Sequence, residues 1–327
     1  MNYIGIDVDS QNLVCRMRRC GEDCPETIFA NNAAGHRRLI RWATKQGHSA
    51  RICLEATGVY SLPLALALHQ GPGIEVMVVN PKAIKHFATA ILQRGKTDSM
   101  DAACILEFLQ RMPFRRWTPP AEEILEIQHI SRRIVQLGTE LTRERNRHAA
   151  AQRLGTWGHA VANDIAVNIR HLERRIAHLE HVALERIERV PALSEKLNLL
   201  TSTTGIARKT GPRILAELST LPGDMTARQW VAHAGLDPRP YQSGSSTHKP
   251  ARITKAGNRY LREALFFPAL VASRYDPNVK AFYDRLIARG KKPMQAIVAI
   301  MRKLLLAIWG MFKNNERWNG EKFYRTA

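Results

Sequence analysis

The sequence predicts a mixed α/β sheet covered by helices, followed by a pair of long helices and then a mostly helical region. Three observations carry this. Up to about residue 115, short apolar runs of strand length alternate with amphipathic stretches. Beyond Pro119 and Pro120, apolar residues recur at spacings of three and four. Beyond Pro191, helical stretches are interrupted by glycines.

Tyr3–Val8 reads as a short apolar strand, with Asn12–Met17 and Thr27–Ala30 as partner strands. Ala34–Lys45 is an amphipathic helix, Arg51–Glu55 a buried strand and Val59–His69 a helix. Glu75–Val79 is another strand, and Pro81 opens a helix. Asp98–Gln110 is a helix whose first acid suits the dipole at its N-terminus. Strands first and alternating units afterwards indicate a mixed sheet. In the next segment Ile124, Ile127, Ile130, Ile134, Leu137 and Leu141 form one narrow apolar stripe. Ile165, Ile169, Leu172, Ile176, Leu179 and Ala183 form another. Such stripes are close to a coiled-coil seam, and they fit either an antiparallel hairpin in one chain or an interface between chains. Farther on, Gly205-Ile206 to Gly211-Pro212 lies between two helical stretches, Leu197–Thr201 and Arg213–Leu218. It is either a tight turn or a turn aimed at a phosphate. Asp237 to Thr254, rich in Pro, Ser and Gly, reads as an irregular loop. Helices follow from about Asn258 to Ala272 and over Lys292–Phe312. The boundaries are therefore 1–118 for the α/β domain, 119–192 for the long helices and 193–327 for the helical C-terminal domain.

Among 327 residues, Lys and Arg number 49 against 29 acids, a net charge of +20. Such a surface favours a polyanion, because each neutralised phosphate releases condensed counterions. From Thr201 to Ala327 there are 22 Lys/Arg and 8 Asp/Glu, and between Arg239 and Arg274 seven basic residues face only Glu263. Arg239, Lys249, Arg252, Lys255, Arg259 and Arg262 are the candidate phosphate contacts. The five cysteines form no CxxC pair, which argues against a zinc site and fits a reducing cytoplasm. Ala296–Phe312 is the longest apolar candidate and is interrupted by Arg302 and Lys303, so neither a membrane span nor a signal peptide is expected.

Asp7 lies inside the first apolar strand, Ile4-Gly5-Ile6-Asp7-Val8, where a charge is costly unless paired or metal-bound. Glu55 ends the strand Ile52-Cys53-Leu54-Glu55, and Asp98 and Asp101 share one face at a helix start. Taken singly, each acid is equally a cap or a salt-bridge partner. Four crowded carboxylates raise one another's pKa values, a conflict that Mg²⁺ or Mn²⁺ removes. Two such ions suit an in-line phosphoryl displacement. Asp9 competes with Asp7, since alternation puts both on one face. In Tyr241-Gln242-Ser243-Gly244-Ser245-Ser246, followed by Lys249, Arg252 and Lys255, an exposed serine has electrostatic support as a nucleophile. An ordinary Ser/Gly turn fits the same spacing.

These residues resemble the DEDD transposases of bacterial insertion sequences, the bridge-RNA-guided recombinases, over nearly the whole chain. The marks are Tyr3-Ile4-Gly5-Ile6-Asp7, Leu54-Glu55-Ala56-Thr57-Gly58, Val79-Asn80-Pro81 and Lys96-Thr97-Asp98-Ser99-Met100-Asp101-Ala102. Ala234-Gly235-Leu236, Ser243-Gly244-Ser245-Ser246, Lys255-Ala256-Gly257-Asn258 and Leu261-Arg262 follow in order. The resemblance implies a ribonuclease-H-like, Holliday-resolvase-like first domain with Asp7, Glu55, Asp98 and Asp101 as a metal tetrad. It implies an oligomerising coiled coil, and a transposase domain whose nucleophile is Ser243, forming a phosphoserine link to DNA. The implied partners are donor and target DNA, a structured noncoding guide RNA, and further copies of the chain, dimer to tetramer, in the bacterial cytoplasm and nucleoid. In one departure, Asp9-Ser10-Gln11 stands where relatives often carry a lysine. A metal-dependent, structure-specific nuclease with water as nucleophile is the alternative enzyme, and a basic nucleic-acid scaffold the non-enzymatic one.

Overall fold

The computed structural model describes every residue except 93, 94, 96, 244–246 and 326–327, and describes 240–243 and 247–251 by backbone alone. Two compact units result, Met1–Pro119 and Pro120–Ala327.

The first unit is a mixed sheet built from β1 (Asn2–Val8), β2 (Asn12–Arg19), β3 (Glu22–Asp23), β4 (Thr27–Ala30), β5 (Ala50–Glu55) and β6 (Ile74–Val79). The order is β3-β2-β1-β5-β6, with β4 also on β2; β1 runs antiparallel to β2 and parallel to β5, and β5 parallel to β6. Helices α1 (Ala33–Ala43) and α2 (Leu62–Gln70) lie on one face, and α3 (Pro81–Ala90) and α4 (Asp98–Arg111) on the other. With both faces covered, β1 and β5 are apolar along nearly their whole length instead of alternating. Ile4, Ile6, Ile52 and Leu54 meet Leu39, Leu64 and Leu68 on the α1/α2 side. Cys53, Met77 and Val79 meet Ile84, Ile105 and Phe108 on the other. Side-chain oxygens of Asn32, Asn80 and Thr97 accept backbone N–H groups at the starts of α1, α3 and α4. The expected helix from Val59 begins later, at Leu62, with Pro63 in its first turn; Val59 and Tyr60 are exposed in the preceding turn.

The second unit is almost wholly helical. Helices α5 (Glu122–Gln152) and α6 (His159–Glu188) are antiparallel partners within one chain, the hairpin arrangement of the two that the sequence allowed. Leu137 and Leu141 pack on Leu172, Ile169 and Ile176; nearer the connection Ala151 packs on Ala162 and Ile165. At the other end Ile127 and Ile187 enter the core formed by α7 (Pro191–Thr201), α8 (Gly211–Ser219), α9 (Ala227–His233) and the helices that follow β7 (Pro238–Ser243) and β8 (Thr247–Ile253). Those helices are α10 (Arg259–Ala264), α11 (Phe266–Tyr275), α12 (Pro277–Ala288), α13 (Pro293–Asn314) and the short α14 (Gly320–Phe323).

Two expectations change here. The segment read as an irregular loop is an antiparallel hairpin, β7 with β8, whose register shifts between Arg239 and Tyr241, where Pro240 has no N–H to pair. The single helix expected from Asn258 to Ala272 is two, α10 and α11, because Pro268 cannot donate to the carbonyl four residues back. The α13 helix, the longest apolar candidate in the sequence, has the length and composition to cross a membrane, and 44% of that stretch is buried within the unit. Ile297, Ile300, Leu304 and Ile308 are core residues, and the Lys303 ammonium lies 4.5 Å from the Phe282 ring and 4.7 Å from the Phe323 ring. The turn at Gly205 has a packing reason: φ is +93°, and a Cβ there would stand 2.6 Å from the Pro268 carbonyl oxygen.

Candidate active site and nucleic-acid interface

Of the four acids, Asp7 is next to the end of β1, Glu55 ends β5, and Asp98 and Asp101 open α4. The parallel register pairs Gly5 with Cys53 and Ile6 with Leu54, so the next residues along, Asp7 and Glu55, fall side by side on one face. That face is the one α4 covers, since Gly5 precedes Asp7 by two residues and lies directly under the helix. A Cβ on Gly5 would be 2.3 Å from the Leu106 nitrogen and 2.4 Å from the Ala102 oxygen. Only glycine lets the helix backbone come so close, and this brings the helix start carrying Asp98 and Asp101 toward the strand ends. Thr97 caps the helix, its side chain accepting from the Met100 N–H at 3.2 Å.

Electrostatics agree with this proximity. Burial pushes the Asp7 carboxyl up to about 6, helped by the negative charges of Asp101, Asp98 and Asp9, against a backbone N–H from Val8. Cys104, one turn beyond Asp101, is raised by burial and then by the charges of Asp101 and Glu55. Asp9, the competitor, is fully exposed and held low by the Ser10 and Gln11 N–H groups, so it lacks the burial of Asp7. Among the described residues no three His, Cys, Asp or Glu side chains stand close enough to hold an ion as they are. Asp7 stands within electrostatic reach of Asp98 and Asp101, and Glu55 is its neighbour on β5 by strand register. Their all-oxygen donor set, and the mutual repulsion felt by Asp7, fit a hard divalent cation.

In the second unit Ser243 ends β7, paired in register with Thr247. Its side chain, like that of Lys249, and all of Gly244, Ser245 and Ser246 lie outside the described residues. The base of the hairpin is described. Arg239 and Arg252 sit directly opposite each other on the two strands, both exposed. Like charges so placed repel unless an anion lies between them. Lys255 is exposed at φ +52°, and exposed Arg259 stacks on Tyr260 at 4.9 Å. Arg262 is engaged otherwise: it donates to the Ala234 carbonyl at 2.7 Å and holds the turn at Gly235, where φ is +63°.

At the start of α10 lies a cluster that the sequence reading did not single out. The Glu217 carboxylate, 2% exposed, accepts from Arg132 Nε at 2.7 Å and Nη2 at 2.9 Å, Gln128 Nε2 at 3.1 Å and Asn258 Nδ2 at 2.6 Å. Asn258 caps α10, accepting from the Tyr260 and Leu261 N–H groups, while its own N–H donates to the His233 carbonyl. Burial lowers His233 below the usual histidine range. The α5 helix, α8 and the start of α10 thus meet on one carboxylate. A lone acid inside the apolar run Ile214-Leu215-Ala216-Glu217-Leu218 was the available signal.

Comparison with known proteins gives the family. A family model described as a transposase, of the DEDD type, covers residues 4–152, and one described as the transposase IS116/IS110/IS902 family covers residues 197–284. The pilin gene-inverting protein of Moraxella bovis is 31% identical over 323 residues, 96% of each chain. A putative transposase of Sinorhizobium fredii is 26% identical over 289 residues, 73% of this chain and 72% of its own. A protein of insertion element IS110 from Streptomyces coelicolor is 31% identical over 116 residues, 36% of this chain and 28% of its own. The chain belongs to the IS116/IS110/IS902 transposase family: it is an enzyme of DNA recombination, and DNA is its partner.

Proposed function

We propose that this transposase cuts and rejoins DNA strands through a serine nucleophile, Ser243, working with a divalent-metal site formed by Asp7, Glu55, Asp98 and Asp101. The observation that carries the reading is the convergence of strand ends and helix start on one face, with Asp7 pushed up to about 6 by burial and by its acidic neighbours. Mg²⁺ or Mn²⁺ would be held by these four carboxylates and would supply charge neutralisation at the phosphate. Asp7 and Glu55, on adjacent strands, give the rigid side of that site, and Asp98 and Asp101 the side carried by α4.

Attack of the Ser243 hydroxyl oxygen on the scissile phosphorus forms the phosphoserine ester and breaks the bond to one deoxyribose oxygen, which leaves with a proton. The reverse attack by a deoxyribose hydroxyl reseals a strand and frees the serine. No external energy source is needed, because one phosphoester replaces another. Arg239 and Arg252, opposed across the hairpin, would contact phosphates together with Lys249, Lys255 and Arg259.

The same reading assigns residues 1–118 to a ribonuclease-H-like domain, 119–192 to an oligomerising coiled coil and 193–327 to the transposase domain. It takes a structured guide RNA to read donor and target DNA, in a dimer to tetramer acting at the bacterial nucleoid. The inversion activity in the name of the Moraxella relative favours conservative strand exchange over simple cutting. Ser243→Ala is expected to abolish the covalent protein–DNA species and strand exchange, both read on denaturing gels. Full cleavage by that variant would transfer the chemistry to a water-using nuclease.

A further inference from the structure

We propose that the outward face of α1 is a separate binding surface for the phosphate backbone of duplex DNA, on the side of the sheet away from the carboxylates. Arg37, Arg38 and Arg41 are exposed on α1, and Lys45 is exposed in the turn that follows. Arg37 and Arg41, four apart, lie on one stripe of the helix, and Lys45 follows just beyond its end. Leu39 and Ala43 on the other side of the helix are fully buried against the sheet, which fixes the direction of that stripe.

Among the described residues the stripe has no ion-pair partner. From Thr27 to Leu54 the chain contains five Lys/Arg and no Asp or Glu. The ion pairs described in this unit use Arg16, Arg18, Arg51 and Arg111 and leave the α1 cations out. On the α5/α6 hairpin, by contrast, Arg145, Arg147 and Arg186 are each paired with a glutamate. An ordinary solvated face mixes both signs, as that hairpin does. Like charges four apart on a helix repel, a cost that a phosphate strand removes.

A cleft of about 490 Å³ adjoins the stripe, its polar rim formed by Arg37, Asn31, Asn32 and Gln70 and the rest of its lining mostly apolar, with Val59 and Leu66. Asn31 braces its rim, donating to the Asp9 carbonyl at 2.7 Å and the Tyr60 carbonyl at 3.1 Å. Cations fixed on one rigid helix, beside amide side chains and a single exposed tyrosine, suit sugar–phosphate contacts. Single-strand readers instead present several stacking aromatics. Duplex DNA, the partner of this enzyme class, is therefore the occupant.

The test is a salt titration of full-length protein with random-sequence duplex DNA, comparing wild type with Arg37→Gln/Arg38→Gln/Arg41→Gln and with the matching triple Lys variant. Each lost phosphate contact removes about 0.9 from the slope of log K against log salt, so the Gln triple loses about 2.7. Between 50 and 200 mM salt the wild type should therefore weaken about 40-fold more than the Gln triple. The Lys triple should keep the wild-type slope. A Gln triple within about one unit of the wild-type slope overturns the proposal; so does a slope change seen with duplex RNA but absent with duplex DNA. Ser243→Ala protein should retain the full slope, so failure of this surface and failure of the serine reading are separately visible.

Discussion

Gly5→Ala tests how the acids are brought together. The new Cβ would lie 2.3 Å from the Leu106 nitrogen and 2.4 Å from the Ala102 oxygen, where ordinary contact begins at 3.4 Å. The helix must therefore retreat by about 1 Å. Both obstructing atoms are backbone, so no rotamer change relieves them. Overpacking of this kind costs about 1–3 kcal/mol, and the N-terminal unit should melt several degrees lower. Because α4 carries Asp98 and Asp101 while Asp7 stays on β1, the retreat also moves two acids away from a third. A displacement of about 1 Å between reacting groups costs on the order of 100-fold in rate. Thermal melting and a strand-exchange assay on the same preparation measure both effects. A Gly5→Ala protein that melts and recombines like wild type would refute the argument that this close approach builds the site.

In metal-free buffer Asp7 holds its proton more tightly folded than unfolded, its pKa lying near 6 instead of 3.8, so stability falls as pH rises through that window. Asp7→Asn removes this fall. Its melting temperature in chelator should gain on wild type between pH 4 and pH 7, and added Mg²⁺ should raise the wild type and not the variant; a parallel pH response in the two proteins would rule the account out. Glu217→Ala leaves Arg132, Gln128 and Asn258 without their shared acceptor and should lower unfolding free energy by roughly 3 kcal/mol, with Glu217→Gln losing less. Urea unfolding decides this, and an Ala variant as stable as wild type contradicts it. Loss of the phosphoserine species in Ser243→Ala and loss of salt slope in the α1 triple complete the set.

The amino-acid pattern alone determined most local structure. Apolar runs of five or six residues specified β1, β5 and β6, and spacings of three and four specified α5 and α6, because burial imposes the period of each element. Acids at the ends of two apolar runs and at a helix start were legible because charge is costly in such places. Tertiary structure decided what depends on residues far apart in the chain. Whether Asp7 and Glu55 shared a face was a matter of parallel register, and how near α4 came was a matter of Gly5 against Leu106 and Ala102. The partner of the α5 stripe proved to be α6 of the same chain, which two similar seams cannot announce by themselves. The hairpin of β7 and β8 escaped the sequence reading because Pro238, Pro240 and Pro250 mask alternation, and pairing across the turn overrides that local signal. Glu217 was visible as an acid in an apolar helix, but its partners come from residues 128, 132 and 258. Only folding brings those groups to one carboxylate, since hydrogen bonding and burial act through space and carry no imprint in local spacing.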